Sequence, residues 1–236
     1  MSNFDDHPTV RQVRKMAASK THDPRGSIES MALRAFALER GADDCGFVSI
    51  ENPALSGERD HVLRCFPATR TLMAIVRRMN REQVRSPARS LANLEFHEAG
   101  VDVDAIARDV VRHLGHRGIR AVNSAMAFPM ELDRFPGRGW VVSHKIVAQA
   151  AGLGKMGIHR SLIHPKFGSF VLLGIVLINA EIDVLSTPLD YNPCVECKLC
   201  VAACPVGAIK PDGYFDFSAC YTHNYQQFIG WLRQLD

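Results

Sequence analysis

The chain lacks any long hydrophobic run. Its longest apolar stretch, Phe170 to Ala180, is interrupted by Gly174 and falls well short of the roughly 20 residues a bilayer span needs. The first residues, Met1 to Thr21, are polar and charged, with no apolar signal core and no twin arginine, so the sequence reads as that of a cytoplasmic protein without a membrane partner. Charge of one sign is not in excess either. The 28 Lys and Arg against 25 Asp and Glu leave a formal net charge of +3, too small by itself to argue for nucleic acid. Neither an internal repeat nor a low-complexity tract is present, which excludes a solenoid. The ten histidines include no H-E-x-x-H, so that zinc-hydrolase motif is absent.

What is there is an ordinary globular composition, 47% hydrophobic and 22% charged over 236 residues. That length buries a real core and suits one to two domains. Residues 1–26 read as a loose leader. Helical spacing of Ile28, Met31, Ala32, Ala35 and Phe36 predicts a helix from Ser27 to Arg40, stopped by Gly41. A short strand at Cys45–Ile50, a helix at Gly57–Cys65 and a buried strand at Thr71–Val76 follow. Arg77 to Ser90, with Arg77, Arg78, Arg81, Arg85 and Arg89, reads as a solvated loop. The pattern then predicts a helix over Ala92–Leu114, a strand at Ile119–Val122, a loop at Phe128–Gly139, a helix at Val142–Ala151 and an apolar strand at Phe170–Ile178. This alternation predicts an α/β (α+β) domain over residues 27–184, followed by a small module over residues 185–236.

The seven cysteines divide in two. Cys45 and Cys65 stand alone in apolar surroundings and are expected to be small core residues. Cys194, Cys197, Cys200 and Cys204, the last followed by Pro205, form the run C-x2-C-x2-C-x3-C-P, the bacterial ferredoxin-type signature for [4Fe–4S] ligation. Structural zinc instead favours two separated Cys or His pairs rather than three thiols in seven residues. The module is therefore expected to be ferredoxin-like.

Gly152-Leu153-Gly154-Lys155-Met156-Gly157 matches G-x-G-x-x-G, but the dinucleotide-binding reading requires a strand before it and a long helix after it. A helix precedes it here, and Pro165 and Gly168 leave no room for a long helix behind. The glycines predict either positive φ with close approach of a large flat ligand or a tight turn needed only for packing.

Ala150 to Ile163, reading A-A-G-L-G-K-M-G-I-H-R-S-L-I, and Phe167 to Gly174, reading F-G-S-F-V-L-L-G, resemble a block shared by epoxyqueuosine reductases and reductive dehalogenases. In both families that block precedes the cysteine run by a similar interval. Gly41 to Phe47 and Gly118 to Ser124 are similar to their helix-to-strand turns, and the resemblance covers about residues 28–223. It implies a nitroreductase-like domain holding a cobalamin-type corrinoid, with the iron–sulfur module delivering electrons from an external low-potential donor. By the same resemblance Gly152, Leu153, Gly154, Lys155, Met156, Gly157 and His159 lie against the corrinoid or its nucleotide tail. Asn123 and Ser124 line the substrate pocket, and Cys204 and Cys220 serve a second cluster. The implied reaction is reductive elimination of a leaving group from a small molecule or from tRNA. The rival is a ferredoxin-like electron-transfer or corrinoid-handling protein with no substrate chemistry of its own.

The pattern departs at two places. Epoxyqueuosine reductases carry Asp-Ser where this chain has Asn123-Ser124, and Asn is no general acid. No tyrosine precedes Tyr191, whereas reductive dehalogenases place one over the cobalt. Glu131, Asp133 and His144 are near in sequence and could substitute, although residues of these kinds are commonly at the surface; no catalytic acid is named from them. Cluster ligands are also short. Two clusters need eight, and the module holds five: Cys194, Cys197, Cys200, Cys204 and Cys220. The expectations are a missing C-terminal segment, a single cluster closed by Cys204 or Cys220, or a partner that supplies ligands. The apolar run Phe228 to Leu232 suits a segment whose packing partner is absent. Lys155 and Lys166 either neutralise a corrinoid phosphate or face solvent.

Overall fold

The structure, a computed structural model, describes residues 4–19, 27–126, 140–194 and 196–230. After helix α1 (Pro8–Ser19) come α2 (Ser30–Glu39), strand β1 (Asp44–Ser49), α3 (Ser56–Cys65), β2 (Thr71–Arg78), the short α4 (Arg81–Arg85), the long α5 (Arg89–His116) and β3 (Ala121–Ser124). Then follow α6 (His144–Ala150), the two-residue strands β4 (Lys155–Met156) and β5 (Leu162–Ile163), β6 (Val171–Ile178), α7 (Leu199–Ala203) and α8 (Phe217–Gly230).

Strands β1, β2, β6 and β3 form one sheet in that spatial order, every pairing antiparallel. Strands β2 and β6 lie at its centre, and nearly all their residues are buried. Successive side chains of a strand point to opposite faces, so a strand covered on both sides reads as a continuous apolar run. Met73, Ile75, Val176 and Ile178 pack with α2 and α5 on one face. Leu72, Ala74, Val76, Leu173, Ile175 and Leu177 pack with α3, α6 and Leu153 on the other. The mixed α/β architecture expected from the sequence is thus present as three layers.

Helix α5 buries a single stripe, Ala99, Val103, Ile106, Ala107, Val110 and Leu114, at helical spacing. It sits close on the sheet because Gly174 faces it: a Cβ there would lie 2.9 Å from the Val103 side chain.

Three sequence expectations change. The leader contains α1, tied to the residues before it by Arg11–Asp6 and Arg14–Asp5 ion pairs. Its described side chains are mostly exposed, so it has no core-facing stripe to read. Arg77–Ser90 is not simply a solvated loop. Arg77 and Arg78 end β2, and α4 follows, its Glu82 N–H capped by the Asn80 side chain. Cys45 is buried as expected, but Cys65 is exposed because it ends α3 on the solvent side. The loop expected at 128–139, with Glu131 and Asp133, lies outside the described residues, as does the end of the apolar run reaching Leu232. Among the described residues, no helix is long and apolar enough to cross a membrane.

Candidate functional site

Helix α7 carries Cys200, and Cys204 ends it. Beyond Pro205 the chain turns back through Gly207, whose φ of +59° allows consecutive amides to converge on one atom. The Cys204 sulfur accepts a hydrogen bond from the Ala208 N–H at 3.2 Å. Backbone N–H groups, that of Val206 foremost, hold the Cys204 thiol below its ordinary pKa against the opposing effect of burial. Amide bonds to sulfur are also what tunes a bound iron–sulfur cluster. On α8 the Cys220 sulfur accepts from the Asn224 side-chain amide at 3.4 Å. Cys197 is exposed, while Cys194, Cys200, Cys204 and Cys220 are half-buried. Among the described residues, no three His, Cys, Asp or Glu side chains are gathered into a metal-binding group. The donor set nonetheless fits an iron–sulfur cluster: four thiols lie within eleven residues, one already biased toward thiolate.

The glycine block begins as a helix end. Leu153 N–H bonds to Ala148 C=O at 3.0 Å and Gly152 N–H to Gln149 C=O at 3.1 Å, with Gly152 at φ +73°. This is a Schellman stop. The space where Gly152 would carry a Cβ is filled by the Thr187 carbonyl, and that of Gly154 by the Ile163 carbonyl. A Cβ on Gly157 would stand 2.8 Å from the His159 ring. The bare sides of these three glycines therefore receive the chain itself.

The groups that offer a flat polar ligand something to bind stand around them. Lys155, Met156 and His159 are half-buried. His159 Nδ1 accepts from Ser161 N–H at 3.1 Å, which leaves the proton on Nε2. Burial, with the nearby Lys145 charge, lowers its pKa, so it is a neutral N–H donor. Such a donor suits the peripheral amides of a corrinoid.

Lys145 links this block to the cysteine module. Its Nζ donates to Arg160 C=O at 2.6 Å, at the one non-glycine residue with positive φ among those described. Burial lowers the Lys145 pKa and the nearby Cys220 opposes that shift, so α6 and α8 bring Lys145 and Cys220 close.

One residue earlier, His144 Nε2 lies 3.1 Å from Ser124 Oγ. Burial, with a smaller contribution from Lys145, pushes the His144 pKa down to about 4, against bonds to the Val142 and Ser124 backbone. The ring sits deep in the molecule, and the residue keeps some accessible surface. His144 opens α6, inside the helix expected over Val142–Ala151, and is half-buried rather than at the surface. Asn123 is half-buried on β3 and Ser124 buried beside it.

Sequence reasoning missed three supporting groups. Buried Glu58 on α3 accepts the Ser143 N–H at 2.9 Å and so fixes the start of α6. His164 donates from Nε2 to Asp44 Oδ2 at 3.1 Å while Nδ1 accepts the Lys166 and Phe167 N–H groups. Burial alone would raise the Asp44 pKa, but the His164 bond and the Arg34 guanidinium outweigh it and lower it. No local pattern marks these residues, because each partner lies on a distant element.

The fold and the cysteine run define an α/β protein with an attached iron–sulfur module, and residues 187–210 match the model of the 4Fe-4S binding domain. More particularly, the chain is similar to epoxyqueuosine reductases in sequence and shares its fold with them and with reductive dehalogenases. It is 25% identical to the epoxyqueuosine reductase of Gloeobacter violaceus over 92% of this chain and 66% of that one. With the enzyme of Francisella cf. novicida it shares 26% identity over 57% of this chain and 36% of that one. Among solved structures, a catabolic reductive dehalogenase superposes with a TM-score of 0.60 at 16% identity, covering 81% of this chain and 28% of that one. The epoxyqueuosine reductase of Bacillus subtilis superposes with a TM-score of 0.55 at 19% identity, covering 79% and 54%. The chain thus spans less than two thirds of the length of both curated relatives. The resemblance read from the glycine block and the cysteine run is borne out.

Proposed function

We propose that this chain is a reductase that uses a corrinoid and a [4Fe–4S] cluster to remove a leaving group reductively from an unassigned substrate. The observation that carries the reading is the pairing, on one chain, of a 4Fe-4S binding run with a fold that epoxyqueuosine reductases and reductive dehalogenases share. One such dehalogenase is described in terms of B12-dependent dehalogenation, and an epoxyqueuosine reductase has been solved with a modified tRNA stem loop. Those descriptions favour a carbon–halogen bond or an epoxide, and a small molecule or tRNA, as the reacting partner here.

A bound corrinoid would supply the metal-centred reducing chemistry, and the cluster would feed it single electrons from a low-potential donor. The chain's own residues supply the rest. Cys194, Cys197 and Cys200 hold the cluster, with Cys204 or Cys220 as further ligands. His159 offers its Nε2–H to the cofactor rim, along the block Gly152, Leu153, Gly154, Lys155, Met156 and Gly157. Lys145 pins the Arg160 turn beside the module. Asn123 and Ser124 face the substrate, and His144 fixes the Ser124 hydroxyl. Cytoplasmic residence follows from the same reading.

A second reading, an electron-transfer or corrinoid-handling protein without substrate chemistry, is favoured by one observation: the imidazole nearest Ser124 is held neutral, and Asn123 is no acid. Anaerobic reconstitution with cobalamin, iron and sulfide separates these readings from their failure. Retention of corrinoid after gel filtration, together with an iron–sulfur spectrum, supports the reductase. A cluster without corrinoid rejects it in favour of an electron carrier, and turnover of a halogenated or epoxide substrate excludes the second reading.

A further inference from the structure

A cavity of about 750 Å3 opens where the end of β2 runs into α4, closed on one side by the first part of α5 and on the other by the turn Lys166–Phe170. Neither the cysteine run, the glycine block, Ser124 nor His144 lines it.

Its polar groups divide into committed and open ones. Arg77 is held by Asp102 at 3.0 Å and by Asp43 at 3.1 Å, and Arg78 by Asp43 at 3.0 Å. Glu95 accepts the Asn80 N–H at 2.6 Å. Among the described residues, Arg81 and Lys166 pair with no carboxylate, and the Glu98 side chain has no hydrogen-bond or ion-pair partner. Both open cations are exposed, and each lies over an aromatic ring. The Arg81 guanidinium stacks 5.1 Å from the Phe170 ring centre, and Lys166 Nζ lies 5.3 Å from that of Phe167. A guanidinium held over a ring keeps N–H groups for an oxyanion, and a contact that restrains a side chain lowers the cost of ordering it on binding. Arg81 spends one donor on Phe167 C=O at 3.4 Å.

Two cations and one carboxylate in the lining suit a ligand that carries both an oxyanion and a hydrogen-bond donor. A phosphate suits two cations on one cavity, since the fork of Arg81 can engage two of its oxygens and Lys166 a third. Glu98, as an acceptor, calls for an amino group. A volume of about 750 Å3 suits a single small ligand rather than a protein surface. We infer that this cavity binds a nucleoside monophosphate, its phosphate on Arg81 and Lys166 and the amino group of its base on Glu98. The inference goes beyond the reductase reading and shares no residue with the cofactor contacts of that reading, so either can fail alone.

The test is calorimetric titration of the full chain with adenosine monophosphate, with inorganic phosphate, with a short single-stranded RNA, and with adenosine monophosphate in the presence of cobalamin. Saturable nucleotide binding is expected, at least tenfold tighter than inorganic phosphate and unaffected by cobalamin. Arg81→Gln with Lys166→Gln should weaken it at least tenfold, and Arg81→Lys by less. Glu98→Gln should weaken the nucleotide several-fold and leave phosphate unchanged, which guards against a double variant that fails to fold. Four results overturn the inference: no saturable nucleotide binding, affinity unchanged in the folded double variant, binding of RNA without the mononucleotide, or displacement of the nucleotide by cobalamin.

Discussion

Ser124 Oγ and His144 Nε2 lie 3.1 Å apart, an edge strand and the start of a helix joined by one hydrogen bond. Burial pushes the His144 pKa down to about 4, well below the 6.5 of the unfolded chain. The folded state therefore binds fewer protons than the unfolded one between those values, and stability rises with pH across that window. Above about pH 6.5 the effect is complete; on acidification to pH 4.5 His144 alone should cost about 2.5 kcal/mol. Denaturant unfolding at pH 7 and pH 4.5 should show that loss in the wild type and a loss smaller by about that amount in His144→Gln. Equal losses in the two proteins would mean that the imidazole is not held neutral.

Asp44 also has a lowered pKa, but there the fold favours the charged form rather than the neutral one. Its pKa is lowered in the folded state, with His164 and Arg34 outweighing burial, so its contribution is present above about pH 3.9 and is lost as pH falls through the lower folded value. At neutral pH, Asp44→Asn should destabilise by about 2 kcal/mol, because a half-buried guanidinium and a buried imidazole lose the carboxylate they share. His164→Phe should keep the stacking on Phe167, at 4.7 Å between rings, yet still loosen the turn that bonds to Nδ1. If Asp44→Asn unfolds at the same denaturant concentration as the wild type, the contact carries no weight.

Gly152 and Gly168 both have positive φ, +73° and +64°. Only Gly152 has its Cβ side filled, by the Thr187 carbonyl; Gly168 faces open space. Alanine at either position should cost about 1 kcal/mol from the left-handed backbone. Gly152→Ala should cost at least about 1 kcal/mol more from overpacking. Thermal unfolding of the two variants side by side decides it. Equal costs would show that the 186–187 segment does not press on the glycine block.

Among the cysteines, Cys204 and Cys65 are the informative pair. Cys204 lies inside the matched 4Fe-4S domain with its sulfur among backbone amides, and Cys65 is an exposed helix end. After anaerobic reconstitution, Cys204→Ser should lose or destabilise cluster, and Cys65→Ser should retain wild-type iron. Full iron in Cys204→Ser would remove Cys204 from the ligand set and leave Cys220 to close a single cluster.

Continuous apolar runs made β2 and β6 legible in the sequence, because a strand buried on both faces has no polar alternation to obscure it. The long α5 was legible through its single buried stripe. Helix α1 and the α4 segment were not, since their residues are largely solvated and periodicity carries no information without a buried face. In the candidate site, the cysteine run and the glycine block were readable because local spacing dictates their chemistry. The supporting contacts were not: Glu58 meets Ser143 from 85 positions away, and His164 meets Asp44 from 120. Those pairs exist only once the layers have packed. The reason for the glycines was likewise hidden, since Thr187 and Ile163 approach them only in the folded chain.

The most direct test follows electrons along the chain. A chain reconstituted with cluster and cobalamin is mixed anaerobically with a low-potential one-electron donor protein, and the bound corrinoid is watched by its visible spectrum. The account predicts prompt reduction in the wild type, and a corrinoid that Cys200→Ser retains but reduces far more slowly. Failure to retain corrinoid, or reduction equally fast without Cys200, would contradict it.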